Sequence, residues 1–303
     1  MRSIIKNLIK TGLLFLIVLN SQYEIYAQSN PMGASYFQNQ YLLNPAMAGL
    51  NGNGLNLNMG SRRQWYNIPG SPSMQTITAD FVLKGKAALG MNFNRDKAGL
   101  IQGTRAMGTF AYHLPLNEEG RALSFGISMG MMNERINLDD VAGDQNDIIL
   151  GRFNDRQTYL DGEFGILFNN NNITFQASIP NLKSFFKKDQ FEGFVDRAVL
   201  FSALGYKFKS ESPLGIDFEP KAAYRILKGM DNILDFGANF IYANQINFFG
   251  MYHTSQSATF GLGMTYQNFG FTGIYNTSTG TLSQYTNGNF EICLQARLFT
   301  KKK

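Results

Sequence analysis

The densest group of side chains able to bind a metal lies between Leu138 and Ile148. Four aspartates fall in this stretch: Asp139, Asp140, Asp144 and Asp147. Carboxylate oxygens are the ligands that calcium prefers, but the spacing of these four matches no EF-hand loop. A solvated acidic loop is the favoured interpretation, and calcium binding by the loop stays open at this stage.

Residues suited to nucleophilic catalysis are scarce. His253, Thr254 and Ser255 include a Ser/His pair, but neighbouring residues of a strand face opposite sides, and catalysis needs a hydrogen-bonded pair that a third group orients. The chain has two histidines and one cysteine, Cys293. No phosphate loop or dinucleotide fingerprint occurs. The sequence therefore predicts a protein that is not an enzyme and has no cofactor and, apart from the open question of calcium at the acidic loop, no metal site.

The basic character of the chain lies at its two ends. The formal net charge is +5 and the pI is about 9.1. Residues 1–27 and the terminal lysines 301–303 carry all of it, because residues 28–300 hold 21 basic and 21 acidic side chains. A neutral body offers no broad surface for phosphate groups, so nucleic acid is excluded as a partner.

The N-terminus has the pattern of a secretory signal peptide. Arg2, Lys6 and Lys10 form a positive region, Leu13–Leu19 is apolar, and Ala27 is a plausible cleavage point. The apolar run is too short to span a bilayer comfortably, and no later stretch approaches the length of about 20 residues that a spanning helix needs. We expect an exported protein, and one that crosses a membrane, if it does so, without helices.

The elements that carry these side chains alternate between apolar and polar residues. From Leu123 to Met131 the odd positions are apolar, while the even positions are Ser or Gly. This period of two predicts strands with one apolar face. Fourteen such stretches follow residue 53, at 54–62, 74–83, 87–95, 104–114, 122–132, 158–168, 172–179, 198–208, 216–226, 233–242, 246–254, 258–267, 269–275 and 289–299.

The strands favour a membrane barrel over a soluble sandwich. Many run for 9–11 residues, which is the length that crosses a bilayer at a tilt of about 45°. Their polar phases are rich in Gly, Ser and Asn and hold most of the strand charges, Arg225 and Asp235 among them, as a lumen does. The fold predicted is all-β, a transmembrane antiparallel β-barrel of about 14 strands at residues 54–300. Connections from even to odd strands are mostly short, which places them and both termini on the periplasmic side.

Two segments outside the strands are rich in aromatic residues. Residues 28–53 are too irregular for membrane strands, yet they hold more aromatic and apolar residues than a free tail does, so we expect them in the lumen or under its periplasmic mouth. A long loop near residue 190 mixes phenylalanine with charge, which suggests a partner-binding patch on its exposed aromatic residues. These residues are Phe185, Phe186, Phe191 and Phe194.

Two motifs give the chain a family resemblance. The stretch Tyr36–Gly49, YFQNQYLLNPAMAG, resembles the opening signature of the PorP/SprF family, and a second block follows after the first strand. The matching positions are Tyr41, Asn44, Pro45, Ala46 and Gly49, then Arg63, Trp65, Pro69 and Gly70. The chain departs from the family near its end, where Asn289 and Phe290 stand in place of the usual Ser-His.

The resemblance implies an outer-membrane barrel of the type IX secretion system of gram-negative, often gliding, bacteria. Members are thought to help secrete or hold large cell-surface adhesins and to contact other components of the secretion machinery. We therefore expect a location in the outer membrane, with its lipid, a secreted adhesin or other secretion components as partners. The residues alone leave an alternative open, which is an outer-membrane channel or small-solute transporter.

Overall fold

The computed structural model describes most of the chain after residue 34. The described residues are 35–50, 54–65, 70–83, 86–117, 120–138, 141, 151, 153–155, 158–186, 198–212, 215–227, 231–277 and 288–299. The predicted signal peptide, the four aspartates of the acidic loop, Pro69, Phe191, Phe194 and the terminal lysines lie outside them.

Fourteen antiparallel strands close into one barrel, as the sequence predicts. Each strand pairs with its neighbours along the chain, and β1 closes on β14 from Leu55↔Leu298 to Gln64↔Asn289. The strands are β1 Leu55–Gln64, β2 Ser73–Val82, β3 Ala87–Ala98, β4 Ile101–Pro115, β5 Ala122–Ile136, β6 Tyr159–Asn170, β7 Ile173–Ile179, β8 Ala198–Tyr206, β9 Ile216–Leu227, β10 Ile233–Tyr242, β11 Ile246–His253, β12 Ser257–Tyr266, β13 Phe269–Thr277 and β14 Asn289–Leu298.

The alternation of side chains places the apolar phase outside and the polar phase inside. On β5 the outward residues Phe125, Ile127 and Met129 are exposed, whereas Ser124 and Ser128 are buried. The same division holds on the other strands, since most of the large exposed side chains are apolar and most of the buried strand residues are polar. Lipid is the natural solvent for such an exterior.

The two rims of the barrel differ in the length of their connections. The longest connections, at 137–158, 180–197 and 278–288, all lie at one rim. The opposite rim carries tight turns such as Asn171–Asn172 and Gln267–Asn268. Since outer-membrane barrels have short periplasmic turns, the first rim is the outer rim and the second is the periplasmic rim.

Helices contribute little to the described part of the chain. Residues 35–50 form three 3-10 turns, Ser35–Phe37, Gln40–Leu42 and Pro45–Met47, and one short α-helix, α1, spans Leu182–Phe186. No helix among the described residues is long and apolar enough to cross a bilayer.

Candidate functional site: a plug bonded to the barrel wall

Residues 35–50 lie inside the ring of strands, and we call them the plug. Their apolar side chains face the lumen interior and are buried, among them Tyr36, Tyr41 and Leu43. Side chains of β2, β4, β7 and β10 and a backbone carbonyl of β6 form hydrogen bonds with them. The plug is therefore part of the folded core and is held from several sides.

The first turn of the plug is fixed by a buried charge cluster. The Tyr36 hydroxyl donates to Asp235 Oδ2 at 2.5 Å. Arg225 holds the same carboxylate with two hydrogen bonds of 2.8 Å, and His253 Nδ1 lies 2.6 Å from Asp235 Oδ1. His253 Nε2 lies 2.8 Å from the hydroxyl of Thr259. Three side chains, Tyr36, Arg225 and His253, thus surround the Asp235 carboxylate and leave no open side for a substrate.

Aromatic packing supports the same turn. Phe37 stacks on Phe249 with ring centroids 5.4 Å apart, and Tyr36 meets Phe201 edge to face at 6.0 Å. The Arg225 guanidinium lies 5.2 Å from the Tyr36 ring centroid. Burial raises the pKa of Tyr36 well above its ordinary value, which keeps the hydroxyl protonated as the donor to Asp235.

The Asn44-Pro45-Ala46 motif forms the centre of the plug. Asn44 Oδ1 accepts the Ala46 backbone N–H at 3.0 Å and caps the third turn. Its Nδ2 donates to the Ile166 carbonyl and to Gln176 Oε1, both at 3.1 Å. One asparagine therefore fixes the local turn and ties it to β6 and β7. An ionised acid of this size could not donate these hydrogen bonds, and an aliphatic residue could neither donate nor accept them.

Glycines of the wall make room for this motif. A Cβ on Gly126 would overlap the backbone of Pro45 and Ala46. A Cβ on Gly165 would overlap the side-chain oxygen of Asn44. The lumen-facing glycines that the sequence shows on β5 and β6 are thus sites where plug and wall touch.

The periplasmic end of the plug is bonded by its backbone. The Gly49 N–H donates to Asp80 Oδ2 at 2.9 Å, and His113 Nε2 lies 2.9 Å from the Ala48 carbonyl oxygen. Gly49 has a φ of +82°, and a Cβ there would lie 2.5 Å from Ala88 Cβ. Only glycine suits that position, which explains its place in the motif.

Tyr41 and Gln40 complete the attachment. The Tyr41 hydroxyl donates to Thr109 Oγ1 at 2.7 Å, over the space left by Gly90. Burial raises the pKa of Tyr41, so this hydroxyl also stays protonated. Gln40 Oε1 accepts from Gln176 Nε2 at 2.9 Å, which ties the second turn to β7.

The flank of the plug that faces β14, β1 and β2 is less tightly bonded. A cavity of about 60 Å³ lies there, lined by Ser35, Gln38, Asn39, Asn58 and Cys293 among others. Four buried polar atoms on these residues have no hydrogen-bond partner among the described residues: Ser35 Oγ, Gln38 Nε2, Asn39 Oδ1 and Asn58 Nδ2. Such a lining suits a few water molecules.

The second family motif lies apart from the plug, at the outer rim. Arg63 is exposed on the outward phase of β1, and Trp65, directly after the strand, has a φ of +43°. The Gly70 carbonyl accepts the Gly99 N–H at 3.2 Å, which joins the first rim loop to the next one. The structure thus does not bring Arg63, Trp65 and Gly70 together with Tyr41, Asn44, Pro45, Ala46 and Gly49.

His253 and Ser255, the pair considered for nucleophilic catalysis, do not form a reactive centre. His253 is fully buried between Asp235 and Thr259, and the Ser255 hydroxyl bonds to Ser257 instead. Across the part of the chain that is described, no group of three or more His, Cys, Asp or Glu side chains is arranged for a metal ion.

Sequence reasoning missed how the plug is bonded. It assigned Arg225 and Asp235 to the polar phase, but it gave no role to His253, Gln176 or Ser178, whose hydroxyl bonds the Leu43 carbonyl. The one signal in the sequence for the charge cluster was that Asp235 and His253 fall on the lumen-facing phases of neighbouring strands. The aromatic pair Phe185 and Phe186 lies on α1, at the outer rim.

Comparison with known proteins identifies the family. The family model for the type IX secretion system membrane protein PorP/SprF matches residues 25–296. No curated protein matches the chain.

Solved structures that resemble the chain are outer-membrane barrels. The toluene transporter TodX of P. putida is 10% identical, with a TM-score of 0.52, over 87% of this chain and 95% of that one. The toluene transporter TbuX of Ralstonia pickettii is 12% identical, with a TM-score of 0.49, over 88% and 94%. Omp33 of Acinetobacter baumannii is 6% identical, with a TM-score of 0.47, over 82% and 100%. At these identities the likeness concerns the fold alone. Because the family model covers residues 25–296, which is most of the chain, this protein belongs to the PorP/SprF family of type IX secretion membrane proteins and is located in the outer membrane of a gram-negative cell.

Proposed function

We propose that this barrel is a non-enzymatic anchor or assembly factor for a cell-surface adhesin that the type IX secretion system exports. The observation that carries the proposal is the plug, which lies in the lumen and is bonded to five strands. A barrel whose interior is occupied by its own chain suits a role in holding a partner better than one in passing solutes.

The bonds of the plug are too many to open together by thermal motion. Each buried hydrogen bond contributes about 0.5–1.5 kcal/mol net, and an orphaned buried partner costs about 1–3 kcal/mol. Breaking the contacts at Asp235, Gln176 and Asp80 together would leave several such groups unpaired. This favours a barrel that stays closed to solutes.

The secreted partner would meet the outer rim. The longest connections of the chain, at 137–158, 180–197 and 278–288, join strand ends at that rim, whereas the periplasmic rim has mostly short connections. Components of the secretion machinery on the periplasmic side would meet those turns and the end of the plug near Gly49.

Surface display of the adhesin tests the proposal. In a strain that lacks this protein, we expect the adhesin to be lost from the cell surface, measured by antibody binding to intact cells. Display should return with the wild-type chain, and a variant with residues 279–286 replaced by a short Gly-Ser linker should restore much less of it. The matched control changes the periplasmic turn Gln267–Asn268 to Asn-Gly and should restore display in full.

Two readouts make the test decisive. The barrel variants must first be shown to be folded by their heat-modifiable migration, so that loss of display reports on the loop. Purification from native membranes followed by mass spectrometry should recover the adhesin together with the barrel. Normal display in the strain without the barrel would refute the proposal.

A further inference from the structure

The barrel wall is interrupted at the outer end of β7. This strand has seven residues, whereas β6 has twelve. The pairing of β6 with β7 stops at Phe164↔Ile179, so the first residues of β6, from Tyr159 on, extend beyond the last residue of β7. The pairing of β7 with β8 stops at Ser178↔Phe201. Above these points β6 and β8 have no strand between them.

The segment from Pro180 to Phe186 occupies this interruption, and we call it the wall segment. Its helix α1 contacts both β6 and β8. On the lumen side, the Pro180 carbonyl accepts Arg105 Nη2 at 3.0 Å, and Arg105 in turn binds Glu163 at 2.6 Å. The Lys183 N–H donates to Asp161 Oδ1 at 3.0 Å. Buried side chains of β4 and β6 that face the lumen therefore hold one side of the wall segment through hydrogen bonds.

The other side of the wall segment faces outward. Gly162 belongs to the outward phase of β6, between the exposed residues Leu160 and Phe164. A Cβ on Gly162 would lie 3.0 Å from Leu182 Cδ1, so Leu182 covers the outer surface of β6. Residues three and four positions further along a helix share its face. Phe185 and Phe186 therefore point the same way as Leu182.

The position of Leu182 along the membrane normal follows from residues of β6 and of the neighbouring strand β5. Met131 pairs with Leu160, and both are exposed apolar residues of the lipid-facing belt. Just above them, Asn133 Nδ2 donates to Thr158 Oγ1 at 2.9 Å, which marks the polar edge of the belt. Gly162 lies below that edge, so the Leu182 side chain lies within the apolar band.

We propose that Leu182, Phe185 and Phe186 form a lipid-contacting patch that completes the outer-leaflet wall where β7 ends. Its occupant is the acyl chains of the outer leaflet. Phe186 is 74% exposed and Phe185 41%, with their rings edge to face at 5.3 Å, and the patch continues the exposed apolar surface that starts at Leu160. This assigns the aromatic pair to lipid, whereas the sequence suggested a protein partner.

Depth-resolved fluorescence quenching tests the assignment. Trp65 is the only tryptophan, so Trp65→Phe provides a silent background in which Phe186→Trp becomes the reporter. In vesicles of phosphatidylcholine with brominated acyl chains, we expect its fluorescence to fall by the same factor as that of Met129→Trp, a lipid-facing residue of β5. Arg135→Trp, on the same phase above the polar edge, should lose much less.

The alternatives give different results. Quenching of Phe186→Trp no stronger than that of Arg135→Trp would overturn the lipid assignment. Protection from bromine combined with a blue shift when the adhesin is added would instead assign the patch to the secreted partner. Phe185→Trp serves as a second reporter should Phe186→Trp not fold, and it carries the same expectation.

Discussion

Asp235→Ala should lower the free energy of unfolding by about 3–5 kcal/mol, because it removes the carboxylate that balances the charge of the buried Arg225 guanidinium. Asp235 accepts two hydrogen bonds from Arg225 and also binds His253 and Tyr36. The Arg225 and Asp235 side chains are 0% and 1% exposed, so water cannot replace the lost carboxylate. Urea unfolding of the purified barrel in detergent, followed by tryptophan fluorescence, measures the change.

A second ion pair supplies the control for this prediction. Lys207 Nζ lies 3.1 Å from Asp217 Oδ2, but the two side chains are 30% and 18% exposed. Exposed pairs contribute about 0–1 kcal/mol, so Asp217→Ala should change the unfolding midpoint little. Equal losses in the two variants would show that the cluster at Asp235 does not hold the plug.

Gly126→Val should open the barrel to solutes. The added Cβ and methyl groups occupy the position of the Pro45 and Ala46 backbone, so the plug must move away from β5. The pairing of β5 itself should persist, because β-branched residues are favoured in strands. Release of a trapped fluorescent dye from liposomes measures the effect. We expect fast release from the variant and slow release from the wild-type barrel.

A matched glycine tests the cause of that release. Gly273 lies on the outward phase of β13, and a Cβ there meets no atom within 4 Å. Gly273→Val should therefore retain the dye as the wild-type barrel does. Fast release from Gly273→Val would mean that valine in a strand disturbs the barrel in general, and retention by Gly126→Val would mean that the plug does not seal the lumen.

The strands could be predicted because their cause is local. Apolar residues alternate with Gly, Ser and Asn within each stretch, and lipid outside with a crowded lumen inside requires that alternation. All fourteen predicted stretches coincide with observed strands, within a few residues at their ends. The assignment of Arg225 and Asp235 to the inside follows from the same pattern.

The contacts of the plug could not be predicted, because they join residues far apart in the chain. Tyr36 binds Asp235 across 199 positions, and Asn44 binds Gln176 across 132. Which lumen residue meets which plug residue depends on the stagger of the closed barrel, which no single strand encodes. The family motif pointed to Asn44 and Pro45 without giving the reason for their presence.

The wall segment escaped prediction for a different reason. Pro180 indicates the end of β7, and a loop with exposed phenylalanines follows naturally from the sequence alone. The predicted strands 158–168 and 172–179 already differ in length, but nothing in the pattern shows that the loop after β7 folds back to fill the part of the wall beside β6. The placement of Phe185 and Phe186 depends on this difference in strand length.

Electrical recording of the intact protein in a planar bilayer tests the central claim most directly, which is that the plug keeps this barrel closed. We predict no stable current steps from the wild-type protein, and steady currents from a variant that lacks residues 35–50. The deletion variant shows that insertion succeeded and that the lumen can conduct once it is emptied. Stable single-channel currents from the intact protein would contradict the account and favour a channel.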